Sequence, residues 1–365
     1  MQITHTEIYK YSIPMVPFTI ATGTMLFAQN TFIRIHTDAG ITGVGECSAF
    51  PMIVGETQNT CFEMAKDFAT IFKGKNPLDI EARVNELEAC TARNYTAKSA
   101  FDLALYDIAA KNARLPLYQF LGGKKKEIES DLTIGIDTPM AMAAQAVEFV
   151  NNGVKIIKVK LGKDAATDIE RIRSIRAAIG DKAELRIDAN QGWSYDDALF
   201  ALTEMGKFNI QFCEQPMRTW NDEQLPTLSK LSPIPIMADE SVYTHHDAER
   251  MIRNKCCTYI NIKFAKSGGI YEAIKINQVA EEHGIPCMMG GMLESRVALS
   301  AKVHFATAFD NIHFYDLDTC LLGHKADPVV GGVTYKGMQL QLSDEPGIGA
   351  DVAQEYLNEL VSITI

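Results

Sequence analysis

From about residue 132 onward, short apolar stretches alternate with amphipathic ones, and several of the apolar stretches end in a charged residue. Lys160, Asp188, Glu214, Asp239 and Lys263 each close such a stretch, at successive separations of 28, 26, 25 and 24 residues. An interval of this length holds one strand and one helix. The repetition predicts a parallel barrel, with these charges projecting from neighbouring strands at its carboxyl end.

The alternation predicts eight barrel strands. They cover residues 133–136, 154–160, 184–188, 209–214, 234–239, 258–263, 286–289 and 313–316. Residues 1–50 instead predict strands with a hairpin turn at 38–40, and residues 56–122 predict helices. We therefore expect an α+β domain over residues 1–125, an α/β barrel over 126–325, and a segment over 326–365 that returns to the first domain.

Composition excludes several classes of protein. A net charge of −11 argues against nucleic-acid binding, which needs a basic face. No stretch approaches 18 uninterrupted apolar residues, so we expect no membrane partner. The first residues lack the pattern of a secretory signal, and the eight cysteines show no zinc-site spacing. These features predict a cytoplasmic protein; they leave open whether it forms a homo-oligomer.

Three of the strand-end residues are carboxylic acids. Asp188, Glu214 and Asp239 follow one another on consecutive strands, without a histidine or cysteine among them. An all-oxygen ligand set on a rigid scaffold suits Mg²⁺. The alternative is that these acids pair with nearby lysines or cap the helices that follow. On either interpretation a cation has to offset their mutual repulsion.

Three lysines flank the acids. Lys158 and Lys160 lie two residues apart on one strand and share a face, so each should lower the pKa of the other. Lys263 follows a strand across the mouth of the barrel. Bases on opposite sides of one carbon can remove a proton from one face and return one to the other. With a metal ion to bear enediolate charge, this set predicts proton abstraction next to a carboxylate.

The chain resembles the muconate-lactonising branch of the enolase superfamily over essentially its whole length. The resemblance rests on five segments, residues 158–160, 188–193, 214–216, 238–241 and 261–263. It implies an α+β capping domain over a modified (β/α)7β barrel and one Mg²⁺ held by Asp188, Glu214 and Asp239. It also implies that Lys160 and Lys263 are the catalytic bases. Lys158 is expected beside these bases in the catalytic site, where its charge supports them and contacts the substrate, and Lys266 and Asn190 have supporting roles.

The eighth strand narrows the expected reaction. Asp316 and Asp318 resemble the paired acids with which dipeptide epimerases hold the free ammonium group of the substrate, although either acid could simply cap the following loop. The pair favours a dipeptide epimerase. The same branch also contains N-acylamino acid racemases, o-succinylbenzoate synthases and muconate cycloisomerases, whose substrates offer no such cation. A metal-binding barrel without catalysis is the alternative from a different class.

The substrate side chain should meet two capping loops, placed near residues 16–30 and 48–56. In similar L-Ala-D/L-Glu epimerases a basic residue of the first loop receives the glutamate carboxylate, and here that position is Gly23. Neighbouring residues expected at the substrate are Phe18, Thr24 and Met25. Without a positive charge, the loop favours a hydrophobic C-terminal residue, as in Ala-Xaa dipeptides, over glutamate.

One more segment is expected at the substrate. Gly291, Met292 and Leu293 follow the seventh strand and are predicted to present backbone groups to the peptide bond, because glycine permits close approach. The dipeptide is the only small-molecule partner that the sequence predicts, and an L-Ala-D/L-Glu epimerase remains the nearest alternative.

Overall fold

The computed structural model describes residues 1–365 and begins with an antiparallel sheet. Its first three strands are β1 (Ile3–Ile20), β2 (Gly23–Thr37) and β3 (Thr42–Ser48). The helices that follow are α1 (Pro51–Val54), α2 (Gln58–Phe72), α3 (Ile80–Cys90), α4 (Tyr95–Ala113) and α5 (Leu117–Phe120). Together these elements form the capping domain.

Helix α4 is the buried centre of the capping domain, and β3 packs directly on it. Two glycines of β3 make this contact possible. A Cβ atom on Gly43 would lie 2.3 Å from the Ala104 carbonyl oxygen, and one on Gly45 would lie 1.9 Å from that of Ala100. Only glycine allows the strand and the helix to approach so closely.

A two-residue strand, β4 (Ile128–Glu129), leads into the barrel, whose strands and helices then alternate. They are β5 (Leu132–Ile134), α6 (Pro139–Asn151), β6 (Ile156–Lys160), α7 (Ala165–Ile179), β7 (Glu184–Asp188), α8 (Tyr195–Met205), β8 (Ile210–Glu214), α9 (Leu225–Leu231), β9 (Ile236–Ala238), α10 (His245–Arg253), β10 (Tyr259–Ile262), α11 (Phe264–Ser267), α12 (Ile270–Glu282), β11 (Cys287–Gly290), α13 (Arg296–Ala308) and β12 (Ile312–Asp316). Short 3-10 turns cover Gly206–Phe208, Thr219–Gln224 and Thr319–Leu321.

The eight strands β5 to β12 form one parallel sheet in chain order. The last strand is followed by a 3-10 turn instead of an α-helix, so the predicted modified (β/α)7β barrel is confirmed. All eight predicted strands are present, and each observed strand end lies within two residues of the predicted one. Alternate residues point into the barrel, where Phe212, Met237 and Met288 form a small separate apolar floor beneath the charged mouth.

The first and last barrel strands are not joined by a ladder of backbone hydrogen bonds. One backbone bond crosses this seam, from the Asp131 N–H to the Tyr315 carbonyl at 3.1 Å. Two side chains complete it: the Leu317 N–H donates to Ser130 Oγ at 2.8 Å, and the Thr133 N–H donates to Asp318 Oδ2 at 2.7 Å. The barrel is therefore closed largely by side chains.

The tail contributes to both modules. It contains β13 (Val329–Gly331), β14 (Thr334–Lys336), β15 (Gln339–Gln341), β16 (Ala350–Val352), α14 (Gln354–Leu357) and β17 (Ser362–Thr364). Strand β15 pairs with β4, whereas β17 pairs with β1 and completes a capping sheet of order β17-β1-β2-β3. The chain thus ends on the capping domain.

The first capping loop is a correction to the sequence prediction. Residues 16–30 are almost entirely strand, because β1 and β2 continue as a long hairpin whose tip is Ala21 and Thr22. Cross-strand pairs such as Phe18 with Met25 supply the hydrogen bonds that a loop would lack. The register shift between Pro14 and Phe18 bends the hairpin towards the barrel. None of the helices combines the length and apolar character needed to cross a membrane.

Candidate active site

The strand register brings the predicted charges together at the carboxyl end of the barrel. Lys160 on β6 lies beside Asp188 on β7, which in turn lies beside Glu214 on β8. Asp239 directly follows β9, and Lys263 directly follows β10. Strands β6 and β10 lie four apart in an order of eight, so the two lysines approach the mouth from opposite sides.

The two outer lysines form short ion pairs with the acids. Lys160 Nζ lies 2.6 Å from Asp188 Oδ2, and Lys263 Nζ lies 2.7 Å from Asp239 Oδ2. Burial alone would lower the pKa of Lys263, but the charges of Asp239 and Glu214 raise it well above its usual value. The alternative expected from the sequence, pairing of acids with lysines, therefore describes the contacts that these side chains make here.

Lys158 lies deeper than its neighbour and is fully buried. Its Nζ is 2.6 Å from Glu214 Oε2, 2.7 Å from Asp316 Oδ2 and 3.4 Å from Asp188 Oδ2. Burial would lower the pKa of Lys158, yet these carboxylates raise it well above the ordinary value. The expectation of a lowered pKa is wrong for Lys158, because three acids outweigh one neighbouring lysine.

The three acids of β7 to β9 fit a hard divalent cation. All are buried, and a lysine Nζ lies 2.6 Å from an oxygen of each: Lys160 from Asp188 Oδ2, Lys158 from Glu214 Oε2 and Lys266 from Asp239 Oδ1. Burial and the charge of Asp188 raise the pKa of Glu214 to about 7. A buried cluster of carboxylate oxygens that already requires positive charge suits Mg²⁺, which prefers oxygen ligands.

Hydrogen bonds fix the orientation of these acids. The Asn261 amide donates to Glu214 Oε1 at 2.8 Å, and the Asn190 N–H donates to Asp188 Oδ1 at 2.8 Å. Lys266 Nζ lies 2.6 Å from Asp239 Oδ1 and also donates to the carbonyls of Val242 and Asn261, each at 3.1 Å. With its donors occupied, Lys266 positions Asp239 and does not reach the cavity.

A second group of acids lies at the barrel seam. One carboxylate oxygen from each of Asp131, Asp316 and Asp318 lies within 4.8 Å of the other two. Burial and the charge of Asp316 raise the pKa of Asp318 to about 7. Burial would also raise the pKa of Asp316, but the charges of Lys158, Lys160 and Lys263 lower it to about 2. The buried Arg186 pairs with Asp131 at 2.9 Å and offsets part of this charge.

A cavity lies between these groups and the capping domain. Its polar wall includes Lys160, Lys263, Asn190, Asp316 and Asp318, which the sequence predicts at the site. Lys160 and Lys263 are the only cationic side chains that line it.

The remaining wall is apolar or formed by backbone. The predicted segment Gly291, Met292 and Leu293 lines the cavity, as does Phe18 from the capping hairpin. The apolar part is completed by Ile20 from the predicted segment 16–30, by Phe50 and Ile53 from the predicted segment 48–56, and by Leu322, which was not predicted.

Four predicted substrate contacts do not line this cavity, and one of them is the buried Lys158. Gly23 and Thr24 lie on β2 beyond the hairpin tip, where Thr24 is exposed and its hydroxyl contacts that of Thr19 at 2.9 Å. Met25 is buried against the hairpin's own partner strand. From this hairpin the cavity is lined by Phe18 and Ile20 of β1, so the substrate contacts expected on β2 stay a prediction.

Glu240 is the functional candidate that the sequence analysis missed. Only 3% of its surface is exposed, it lines the cavity, and neither of its carboxylate oxygens has a hydrogen-bond partner. Burial, with the charges of Asp239 and Asp188, raises its pKa to about 8. Its place directly after Asp239 was visible in the sequence, but strand alternation puts adjacent residues on opposite faces and gave no reason to include it.

The segment after β11 owes its shape to buried polar contacts. Glycine is required at 290 because a Cβ atom there would lie 2.3 Å from Asn261 Oδ1, and at 291 because one would lie 2.9 Å from the Asp316 carbonyl. Glu294 accepts the Met292 N–H and pairs with the buried Lys302. The predicted close approach is therefore to the protein's own side chains and backbone.

The capping domain holds this same segment through Glu46. Its carboxylate accepts the Ser295 N–H at 2.8 Å and the Ala298 N–H at 3.0 Å, which caps α13. It also accepts the Asn30 amide at 2.6 Å, and that amide donates to the Leu293 carbonyl at 3.0 Å. Burial raises the pKa of Glu46 to about 7 despite these bonds. The contacts link the capping sheet directly to the cavity wall.

Replacement of Glu46 by alanine is expected to lower the free energy of unfolding by about 1–3 kcal/mol, because several buried donors would lose their acceptor. Loosening of residues 291–293 should raise KM at the same time. Urea unfolding and steady-state kinetics measure the two effects. Glu63→Ala, at an exposed position with a surface ion pair, is the matched control. Unchanged values for both quantities would show that Glu46 does not position the segment.

Family models and relatives agree with this architecture. Residues 3–122 match the mandelate racemase/muconate lactonizing enzyme N-terminal domain, and residues 141–356 match the enolase C-terminal domain-like family. The chain therefore belongs to the mandelate racemase and muconate lactonizing enzyme family of the enolase superfamily, as the sequence predicts.

The most similar relatives include dipeptide epimerases. The chain is 44% identical to a D-Ala-D/L-Ala epimerase of Cytophaga hutchinsonii, with 100% of both chains covered. A crystal structure of dipeptide epimerase from that organism, complexed with Mg and D-Ala-L-Val, superposes with a TM-score of 0.98 over 100% of both chains. An L-Ala-D/L-Glu epimerase of Clostridium acetobutylicum is 38% identical over 93% of this chain and 96% of its own.

A dipeptide epimerase from Enterococcus faecalis, solved with Mg and L-Leu-L-Tyr, is 37% identical. Its TM-score is 0.93, with 96% of this chain and 100% of that chain covered. The relatives thus include enzymes named for alanine, glutamate and larger apolar residues, so family membership alone does not select one dipeptide.

Proposed function

We propose that this protein is a Mg²⁺-dependent dipeptide epimerase that inverts the α-carbon of the C-terminal residue, with a preference for hydrophobic side chains there. The single observation that carries the reaction is the pair of lysines, Lys160 and Lys263, which line one cavity from strands on opposite sides of the barrel. The epimerase prediction is borne out by the 44% identical epimerase that aligns over the full chain. The side-chain preference rests on the cavity.

The lysines supply the acid and the base. A substrate α-carbon held between them would lose its proton to the neutral Nζ of one lysine and regain a proton from the ammonium Nζ of the other. The stereochemistry inverts because the two nitrogen atoms approach from opposite faces. Both lysines are required for epimerisation in either direction. Each lysine is the base for one epimer and the acid for the other.

The acids of β7 to β9 would hold the metal. We assign Asp188, Glu214 and Asp239 as its ligands because they are buried, lie on or directly after adjacent strands, and offer only oxygen atoms. When bound, Mg²⁺ supplies positive charge that offsets the negative charge developing on the substrate carboxylate. The same cation would replace lysine charge beside these acids, which favours release of Lys160 and Lys263 for proton transfer.

The seam acids would bind the other end of the substrate. Asp316 and Asp318 line the cavity, and the lysine that pairs with Asp316, Lys158, does not. The two acids would therefore form a receptor for an α-ammonium group. Lys158 lies beneath Asp316, and Arg186 pairs with Asp131. These internal cations keep the local charge balanced without filling the cavity. N-Acylamino acids, succinylbenzoate precursors and muconate offer no positive group for this receptor.

The capping wall argues for an apolar C-terminal residue. Phe18, Ile20, Phe50 and Ile53 face the cavity from the capping domain, and that wall contains no lysine or arginine. A glutamate side chain there would be desolvated without a partner, whereas an apolar side chain gains about 0.8 kcal/mol for each buried methylene. This distinguishes the proposal from an L-Ala-D/L-Glu epimerase. The eight free cysteines, most of them buried, support a reducing compartment such as the cytoplasm.

Deuterium exchange tests both parts of the proposal. With Mg²⁺ in D₂O, L-Ala-L-Val, L-Ala-L-Leu and L-Ala-L-Phe should each gain one deuterium, as measured by mass spectrometry, and a chelator should stop the exchange. L-Ala-L-Glu should exchange at least about tenfold more slowly, which corresponds to roughly 1.4 kcal/mol of discrimination. Exchange confined to L-Ala-L-Glu would retain the epimerase and overturn the hydrophobic preference. Absence of exchange on every dipeptide would overturn the reaction.

A further inference from the structure

Far from the cavity, three metal-ligating side chains share one face of the capping sheet. His5 and Glu7 lie two residues apart on β1, and His36 lies on the neighbouring strand β2, directly opposite His5. One ligating atom from each lies within 4.8 Å of the others, and His36 Nε2 is 3.3 Å from Glu7 Oε2. Tetrahedral zinc, with bonds of about 2.0–2.1 Å, separates neighbouring ligands by roughly 3.4 Å.

Hydrogen bonds leave the outer nitrogen of each imidazole available. Thr4 Oγ1 donates its proton to the His36 carbonyl at 3.1 Å, so at His5 Nδ1, 3.0 Å away, it acts as the acceptor. This arrangement accommodates a proton on His5 Nδ1, and in that tautomer Nε2 would offer its lone pair to a metal. Thr42 Oγ1 lies 3.1 Å from His36 Nδ1, and His36 Nε2 has no hydrogen-bond partner. Such outer contacts orient histidines that bind metals.

We propose that His5, Glu7 and His36 bind one divalent transition metal ion, with Zn²⁺ as the best match. Two neutral imidazoles and a carboxylate suit zinc better than magnesium, and the fourth position would belong to water. The two rings are 4.2 Å apart and 5° from parallel, so binding requires them to tilt towards one another. Both are only partly buried, which leaves room for this rotation. Glu7 favours a cation beside His5, while the exposed Lys73 opposes it.

A metal at this position would stabilise the capping sheet without entering the reaction. It would join β1 to β2 at the end where Thr364 of β17 pairs with Glu7, so both chain termini lie beside it. The cavity residues Phe18 and Ile20 lie at the opposite end of β1. The expected effect is a higher Tm with unchanged kcat and KM.

Calorimetric titration of the chain without an affinity tag tests the site. With excess Mg²⁺ present to occupy the carboxylates of the active site, Zn²⁺ should bind with a stoichiometry of one and raise Tm. His5→Ala and His36→Ala should each weaken Zn²⁺ binding by at least about tenfold, since loss of an outer contact alone has that effect. His313→Ala, at an exposed position on the barrel, should bind zinc as the unaltered protein does.

Co²⁺ provides a second measurement that does not depend on stability. Tetrahedral binding should give strong visible absorption in the unaltered protein and in His313→Ala, and this absorption should be lost in His36→Ala. Retained epimerase activity in each variant would show that it is folded. Zinc affinity that is equal in the unaltered protein and both histidine variants, or no binding above the Mg²⁺ background, would overturn the proposal.

Discussion

Lys160→Ala is expected to abolish interconversion of dipeptide epimers, with a loss in kcat of at least about 10²–10⁴-fold. One of the two opposed groups would be missing, so a proton could leave or return on one face only. Lys263 would remain, and it should continue to exchange the α-proton of a single epimer with solvent. Proton NMR in D₂O, started separately from each epimer, measures interconversion and exchange in one experiment.

Lys155→Ala is the matched control for this variant. Lys155 lies one residue before β6, is exposed, and pairs with Glu129 at 3.0 Å outside the cavity. It should retain full activity. The complementary Lys263→Ala variant should exchange only the other epimer. If Lys160→Ala still exchanged the α-protons of both epimers at the original rate, Lys160 could not be one of the two bases.

Asp318→Asn is expected to lower kcat/KM for free-amine dipeptides on the order of 10²-fold, because a buried cation in the substrate would lose one of its charged partners. Asp318 is the better choice for this test than Asp316, which also pairs with Lys158 at 2.7 Å. Asparagine keeps an oxygen that can accept the Thr133 N–H, so the seam should remain closed. The effect should therefore report charge and not folding.

A comparison of substrates separates charge from general damage. N-Acetyl dipeptides lack the ammonium group, so the unaltered enzyme should have a low kcat/KM for them. Asp318→Asn should change that value little. The ratio of kcat/KM between free and acetylated dipeptides should consequently fall. An equal loss on both substrates would indicate that Asp318 supports the structure and does not select the amine.

The barrel was predictable because its signals are local and repeated. Six of the eight predicted strands end in a charged residue, and strand alternation places Lys158 and Lys160 on one inward face, as the structure shows. Parallel register then brings Asp188 beside Glu214 without any knowledge of distant contacts. Fold class and the charged mouth therefore follow from periodicity alone, which holds wherever one face of a strand is buried.

The capping side of the cavity was less predictable, because it depends on the angle between domains. Phe18 was identified individually, whereas Phe50 and Ile53 were located only as part of segment 48–56, since no periodicity relates α1 and its flanks to the barrel. Gly23 was chosen by analogy and lies away from the cavity because the hairpin presents β1 instead. The balance of charge around Lys158 also needed coordinates, since Asp316 reaches it from 158 residues away.

The seam between β5 and β12 has a consequence for how such a protein can change its substrate. Elsewhere in the barrel, a pair of strands is fixed by its ladder, and widening the gap would break several backbone bonds. At the seam, one backbone hydrogen bond and the side chains of Ser130 and Asp318 hold the two strands together. The proposed receptor for the substrate amine, Asp316 and Asp318, lies at the same place. A few substitutions could therefore reshape the pocket for the first residue while leaving the proton-transfer apparatus intact, which makes substrate choice and catalysis separately evolvable.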